Sequence, residues 1–297
     1  MSSANGLRHL IRRFLDRKIN VDELARIVGP ANTTTLAVTA LSPQDVPKMF
    51  GLTKVLDAEF DSVVPVPLPE DLKIWLVWVD HAHGASPDDE ASVRLKLNLL
   101  LVRAHNLVSS SQDKSARPLN IQMERTWAFR PVEWKGKTYT LSGRPDYGIW
   151  YGEEEDIDLN VIIMEAKRPT NSSQGIPQAL AYMACVHRCR KDIGKADTTV
   201  YGIATDAAIF TFMKLDNESR WSIKHVDVVG NGFEQVFGII IHLMQKAASM
   251  SPAASKRTSR RTQEGSGDSD LIFDHNPRRD AELDAELAEL DDELDAE

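Results

Sequence analysis

Two cysteines in 297 residues are too few for a disulfide framework, and no apolar signal-peptide core stands near the N-terminus. Both absences lead to the expectation of an intracellular protein in a reducing compartment, nucleus or cytoplasm. Long hydrophobic runs are also missing. The longest, Ile74-Trp75-Leu76-Val77-Trp78-Val79 and Phe237-Gly238-Ile239-Ile240-Ile241, are far shorter than the roughly 18 residues a bilayer-crossing helix needs. No membrane span or membrane partner is expected. With 42% hydrophobic and 27% charged residues, the composition excludes fibrous and collagen-like chains and fits an ordinary globular protein.

Positive charge is not in excess either. The net charge of −9 is concentrated at one end, because residues 280–297 carry ten acids and no Lys or Arg. The remaining 34 acids against 35 bases leave a body at +1. Such a body neither repels nor strongly attracts a polyanion as a whole, so contact with nucleic acid requires a local basic patch.

The pattern along the chain divides it into four parts. Residues 1–64 read as a helical N-terminal region, with "INVDELARIVG" as a short capped helix from Asn20 to Gly29. The opening "MSSANGLRHLIRRFLDRKIN" has the Ser, Arg and apolar content of a transit peptide, but Asp16 and the continuing helical pattern favour a basic surface helix. Three prolines in "VVPVPLPEDL" mark a soft boundary, and residues 65–248 form the main domain. There, Leu72, Trp75, Leu76 and Val79 fit a helical face, though a strand is an alternative. A second helix follows, capped by Ser86-Pro87-Asp88-Asp89 and apolar at Val93, Leu97, Leu100, Leu101, Ala104, Leu107 and Val108. The period then shortens, giving strands near 121–130 and 138–150 around a Lys135-Gly136-Lys137 turn. After the apolar strand "NVIIMEAK" come a helix from Ile176, strands through "TTVYGIATDAAIFTFMKLD" and "WSIKHVDVV", and a last helix near 232–248. Residues 249–279 read as a disordered basic and Ser-rich linker, and 280–297 as an acidic Leu-repeat tail.

The strand "NVIIMEAK" raises the chemical question. Side chains alternate along a strand, so Glu165 and Lys167 share a face. Charged groups ending a central strand lose hydration unless paired or bound to a metal. Asp146 lies on the preceding strand, and the loop from Gly152 to Asp158 allows that strand to return antiparallel, bringing the two carboxylates together. Converging carboxylates suit a hard divalent cation such as Mg2+. With a lysine beside the attacking water, this is the chemistry of phosphodiester hydrolysis.

Pro145-Asp146, eighteen residues, then Glu165-Ala166-Lys167 resembles the PD-(D/E)XK motif of the restriction-endonuclease-like nuclease superfamily. The chain as a whole resembles uncharacterised fungal members of that superfamily. The resemblance implies an α/β fold with an αβββαβ core laid over residues 86 to about 206, a mixed central sheet flanked by helices, N-terminal helices and a disordered acidic tail. It implies Asp146 and Glu165 as metal carboxylates, the Ala166 carbonyl as a third ligand, and Lys167 on the attacking water. Glu90 matches a glutamate that many members add from the first core helix, and Gln178 a glutamine in the helix after the Lys strand, near an N-terminus that favours phosphate. The cofactor implied is Mg2+, with Mn2+ as a substitute, and the partner a nucleic acid, DNA before RNA.

Arg144 and Arg168 flank the acids and are candidates for phosphate binding, with structural ion pairing as the alternative. Arg125 and Arg130 are weaker candidates. Glu153-Glu154-Glu155-Asp156 reads as a solvated hairpin tip, "DHAHG" with His81 and His83 as an exposed loop, and Cys185 and Cys189 as plain thiols. Lys256-Arg257 and Arg260-Arg261 read as a basic linker or a nuclear localisation signal. Two rival functions remain in view. One is a nuclease-like module that grips nucleic acid or protein without cutting. The other gives the acidic tail the leading part, docked on a basic protein such as a histone or covering the site. Double-strand cleavage would call for a homodimer.

Overall fold

The computed structural model describes residues 34–84, 89–111, 119–151, 162–168, 172–192, 194–250 and 270–273. These form a mixed α/β structure with five α-helices and two mixed sheets. In chain order the elements are β1 Thr34–Ala37, α1 Asp45–Phe50, β2 Thr53–Lys54, α2 Glu70–His83, α3 Glu90–Ser111, β3 Leu119–Met123, β4 Trp127–Trp134 and β5 Lys137–Gly143. Then come β6 Tyr147–Tyr151, β7 Ile162–Ala166, α4 Ser172–Asp192, β8 Val200–Thr205, β9 Ile209–Leu215, β10 Arg220–Asp227, α5 Gly232–Met250 and β11 Asp270–Phe273.

The larger sheet has the order β2-β10-β9-β8-β7-β6-β3. Its β7–β8 and β10–β2 pairs are parallel and the rest antiparallel. The smaller sheet runs β1-β5-β4-β11, with only β1–β5 parallel. Helix α4 is buried from Gln178 to Val186 without a break, and a helix apolar all round needs cover on every side. It has that cover because it lies between the sheets, packed on Trp127, Phe129 and Leu141 of one and Val200, Ala204 and Met213 of the other. Helices α3 and α5 cover the opposite face of the larger sheet through Leu97, Leu100, Leu101, Phe237, Ile240 and Leu243.

Several expectations hold and several need correction. Strand β7 lies inside the seven-stranded sheet, as its apolar run predicts, and α2 is a helix rather than a strand. Trp75, however, is outside the core at 52% exposure and meets Trp78 edge to face; Leu72, Leu76 and Val79 alone face inward. The helical region 1–64 contains two strands where it is described, and each joins a sheet: β1 against β5 and β2 against β10. Phe60 enters the main core beside α3 and α5, so the prolines after it do not separate two units. Each expected meander strand is two strands, broken at 124–126 and at Arg144-Pro145-Asp146. Four residues of the linker taken as disordered, Asp270–Phe273, form β11 on the free edge of β4. Asp89 caps α3, its Oδ1 accepting from the Ser92 amide at 2.7 Å; Ser86, Pro87 and Asp88 lie outside the described residues. The helix at residues 20–29, the acidic run 153–156, the basic pairs 256–261 and the tail 280–297 lie outside the described residues. No helix among the described residues is long and apolar enough to cross a membrane.

Candidate active site

Strands β6 and β7 run antiparallel with Tyr147 opposite Met164. Asp146 directly precedes Tyr147 and Glu165 directly follows Met164, so the two acids stand at the adjoining ends of these strands. The Ala166 amide donates to Asp146 Oδ2 at 2.7 Å, and the Glu124 amide donates to the Asp146 carbonyl at 3.0 Å. Asp146 is thereby held from both neighbouring strands. Lys167, just beyond β7, is tied to β8 by a 2.9 Å bond from its amide to the Thr205 carbonyl. Its Nζ donates to Glu165 Oε2 at 3.0 Å, which confirms that the two side chains share a face.

Glu165 is 2% exposed, and its Oε1 is buried with no hydrogen-bond partner among the described residues. Burial, and then the Asp146 charge, push its carboxyl up to about 8 against the pull of Lys167. Burial also raises Asp146, although the Ala166 amide, Arg94 and Lys167 favour its charged form. A buried oxygen without a partner costs about 1–3 kcal/mol, and either a proton or a hard cation would satisfy it. Among the described residues no group of three or more His, Cys, Asp or Glu side chains is arranged to hold a metal ion. A cation here would draw on two carboxylates, main-chain carbonyl oxygen and water, a donor set that Mg2+ accepts.

The guanidinium of Arg94 links the other acids to this pair. Its Nη2 donates to Glu90 Oε1 at 2.8 Å and to Asp146 Oδ1, and its Nη1 donates to Glu124 Oε1 at 2.7 Å. Burial alone would lower the Arg94 pKa; Asp146, Glu90 and Glu124 together raise it. Glu124 adopts a left-handed backbone, φ 54°, uncommon for a residue with a side chain. That turn lets one residue give its amide to Asp146 and its carboxylate to Arg94. The Tyr147 hydroxyl donates to Asn98 Oδ1 at 2.7 Å, tying β6 to α3 beneath the cluster.

The structure brings Asp146, Glu165, Ala166 and Lys167 together directly, and Glu90 through Arg94. Gln178 is buried, one turn beyond Gly175, where a Cβ would lie 3.3 Å from Lys167 Cγ. It is not near a helix N-terminus: α4 begins at Ser172 and carries Pro177 in its interior, so the dipole argument for Gln178 fails. Arg144 is exposed and 3.9 Å from Glu124, and Arg168 is exposed without an ion-pair partner among the described residues. Arg125 lies in the β3–β4 turn and Arg130 on β4 of the other sheet. His81 and His83 end α2 rather than occupying a loop, and His83 Nδ1 meets Ser92 Oγ at 2.8 Å. Cys185 and Cys189 are buried thiols that form no disulfide among the described residues.

Sequence reasoning missed Arg94, Glu124 and Tyr182. Arg94 had a signal, its i, i+4 spacing from Glu90. Glu124 had none, because nothing local marks its left-handed turn. The Tyr182 hydroxyl leaves no room for a Cβ at Gly143, which would be 2.2 Å away. No protein-family model matches the chain, and no curated protein matches it.

Proposed function

We propose that the chain is a metal-dependent nuclease, hydrolysing phosphodiester bonds of nucleic acid, DNA first among them, in the manner of the PD-(D/E)XK superfamily. The carrying observation is Asp146 and Glu165 at the adjoining ends of β6 and β7, with Lys167 on one Glu165 oxygen and the other buried without a partner among the described residues. The order of elements supports it: α3, β3, β6, β7, α4 and β8 follow αβββαβ, with the β4–β5 hairpin set apart in the second sheet.

Asp146 and Glu165, with the Ala166 carbonyl, would hold Mg2+, or Mn2+ in its place. The ion would lower the pKa of a bound water and offset charge on a phosphate oxygen. The residues of the chain do the rest. The Ala166 amide fixes Asp146 in position. Lys167 Nζ, 3.0 Å from Glu165 Oε2, is placed to orient the water and to counter negative charge on the phosphate. Exposed Arg144 and Arg168, at the ends of the two strands, can take flanking phosphates. Plasmid, linear DNA and single-stranded RNA incubated with Mg2+ or Mn2+ test this reading. Cleavage that Lys167→Ala and Glu165→Ala abolish supports it; no cleavage of any substrate, or undiminished cleavage by both variants, refutes it.

One observation favours a second reading, a nuclease-like binding module that does not cut. Asp146 Oδ1 is engaged by Arg94, so the acid is already neutralised within the protein. Calorimetric titration separates the two. Absence of Asp146-dependent binding of Mg2+ or Mn2+, together with retained nucleic-acid binding, selects the module.

A further inference from the structure

We infer that Arg94 is an internal competitor for the divalent cation and sets how tightly the site takes one. The inference rests on the metal reading above and extends it to a residue that neither the motif nor the resemblance supplies. The guanidinium reaches three carboxylates from three elements: Glu90 on α3, Glu124 after β3 and Asp146 before β6. It gathers the acids that a cation would otherwise hold and supplies positive charge where their repulsion is greatest. The Arg94 side chain is about one-third exposed, so it has room to swing outward, whereas Asp146 is pinned by the Ala166 amide. Charge at Asp146 can therefore be shared with a cation or handed to it while the carboxylate stays in place.

The arrangement gives Arg94 two effects of opposite sign. It stabilises the metal-free fold, because removing it leaves three carboxylates without their common partner. It weakens cation binding, because a like charge stands beside the site and occupies one Asp146 oxygen. An ordinary structural ion pair would not have this signature, since losing it lowers stability and ligand affinity together.

Calorimetric titration with Mn2+ and thermal melting test the inference on wild type, Arg94→Gln and Arg94→Lys, with Asp146→Asn as control. Arg94→Gln should bind Mn2+ on the order of tenfold more tightly while melting at a lower temperature. Arg94→Lys, which keeps the charge, should bind close to wild type. Equal or weaker binding by Arg94→Gln, with wild-type binding still dependent on Asp146, overturns the role of Arg94 and leaves the metal reading intact. No Asp146-dependent binding in any variant overturns both. Should Arg94→Gln fail to fold, Mg2+ titration of 15N-arginine wild type decides, with the Arg94 resonance assigned by its loss in Arg94→Lys. A guanidinium signal that shifts or broadens supports the competition, and one that stays unmoved at saturating Mg2+ refutes it.

Discussion

The Ala166 amide donates to Asp146 Oδ2 at 2.7 Å, so a carboxylate joins the end of β7 to the start of β6. The residue that would bind a cation is thus also part of the sheet. Replacing Asp146 by Asn keeps the shape but turns an NH2 toward donors. One of two donors, the buried Ala166 amide or the half-buried Arg94 guanidinium, then loses its acceptor. Asp146→Asn should destabilise the protein by about 2 kcal/mol, measured by urea denaturation with a chelator present. A change below about 0.5 kcal/mol would mean that Asp146 is peripheral.

Glu165 gives the metal-free protein a pH dependence of known sign. Burial raises its carboxyl from 4.5 to about 8 in the fold, so between those values the folded state binds more protons than the unfolded one. Stability therefore falls as pH rises through that window. Wild type in chelator should lose melting temperature between pH 5 and 8, and Glu165→Gln should lose less. Parallel profiles for the two proteins would show that Glu165 is ionised and satisfied.

A second carboxylate, half-buried, behaves in the opposite way. Glu59 Oε1 accepts from Lys246 at 2.8 Å and from the Tyr201 hydroxyl at 3.0 Å, and its Oε2 is 2.8 Å from Lys214. Burial pushes its pKa upward, but the two lysines outweigh it and lower the group from 4.5 to about 2. The stabilisation is complete above pH 4.5 and is lost as pH falls through about 2. Glu59→Gln should cost about 2 kcal/mol at pH 7 and flatten acid unfolding between pH 4.5 and 2. An unchanged acid limb would show that these pairs contribute nothing to stability.

The legible parts of the sequence were those with a local cause. The β7 run ending in Glu165 and Lys167, the stripe of α3 from Val93 to Val108, and the β8–β9 turn are set by periodicity over a few residues. What stayed hidden depends on distant partners. β1 and β2 are four and two residues long and become strands only because β5 and β10 offer free edges. The β11 segment is polar around a short apolar core and pairs only because β4 lies open beside it. In the site, Asp146, Glu165 and Lys167 were marked by spacing. Arg94 and Glu124 meet across thirty residues, a contact that no local pattern encodes.

Anomalous scattering from a crystal soaked in Mn2+ near pH 8 tests the central claim most directly, because Glu165 is then substantially ionised. The account predicts a peak between the two strand ends, within about 2.2 Å of both an Asp146 carboxylate oxygen and Glu165 Oε1. No peak there at saturating Mn2+, with Glu165 Oε1 still unpartnered, would contradict it.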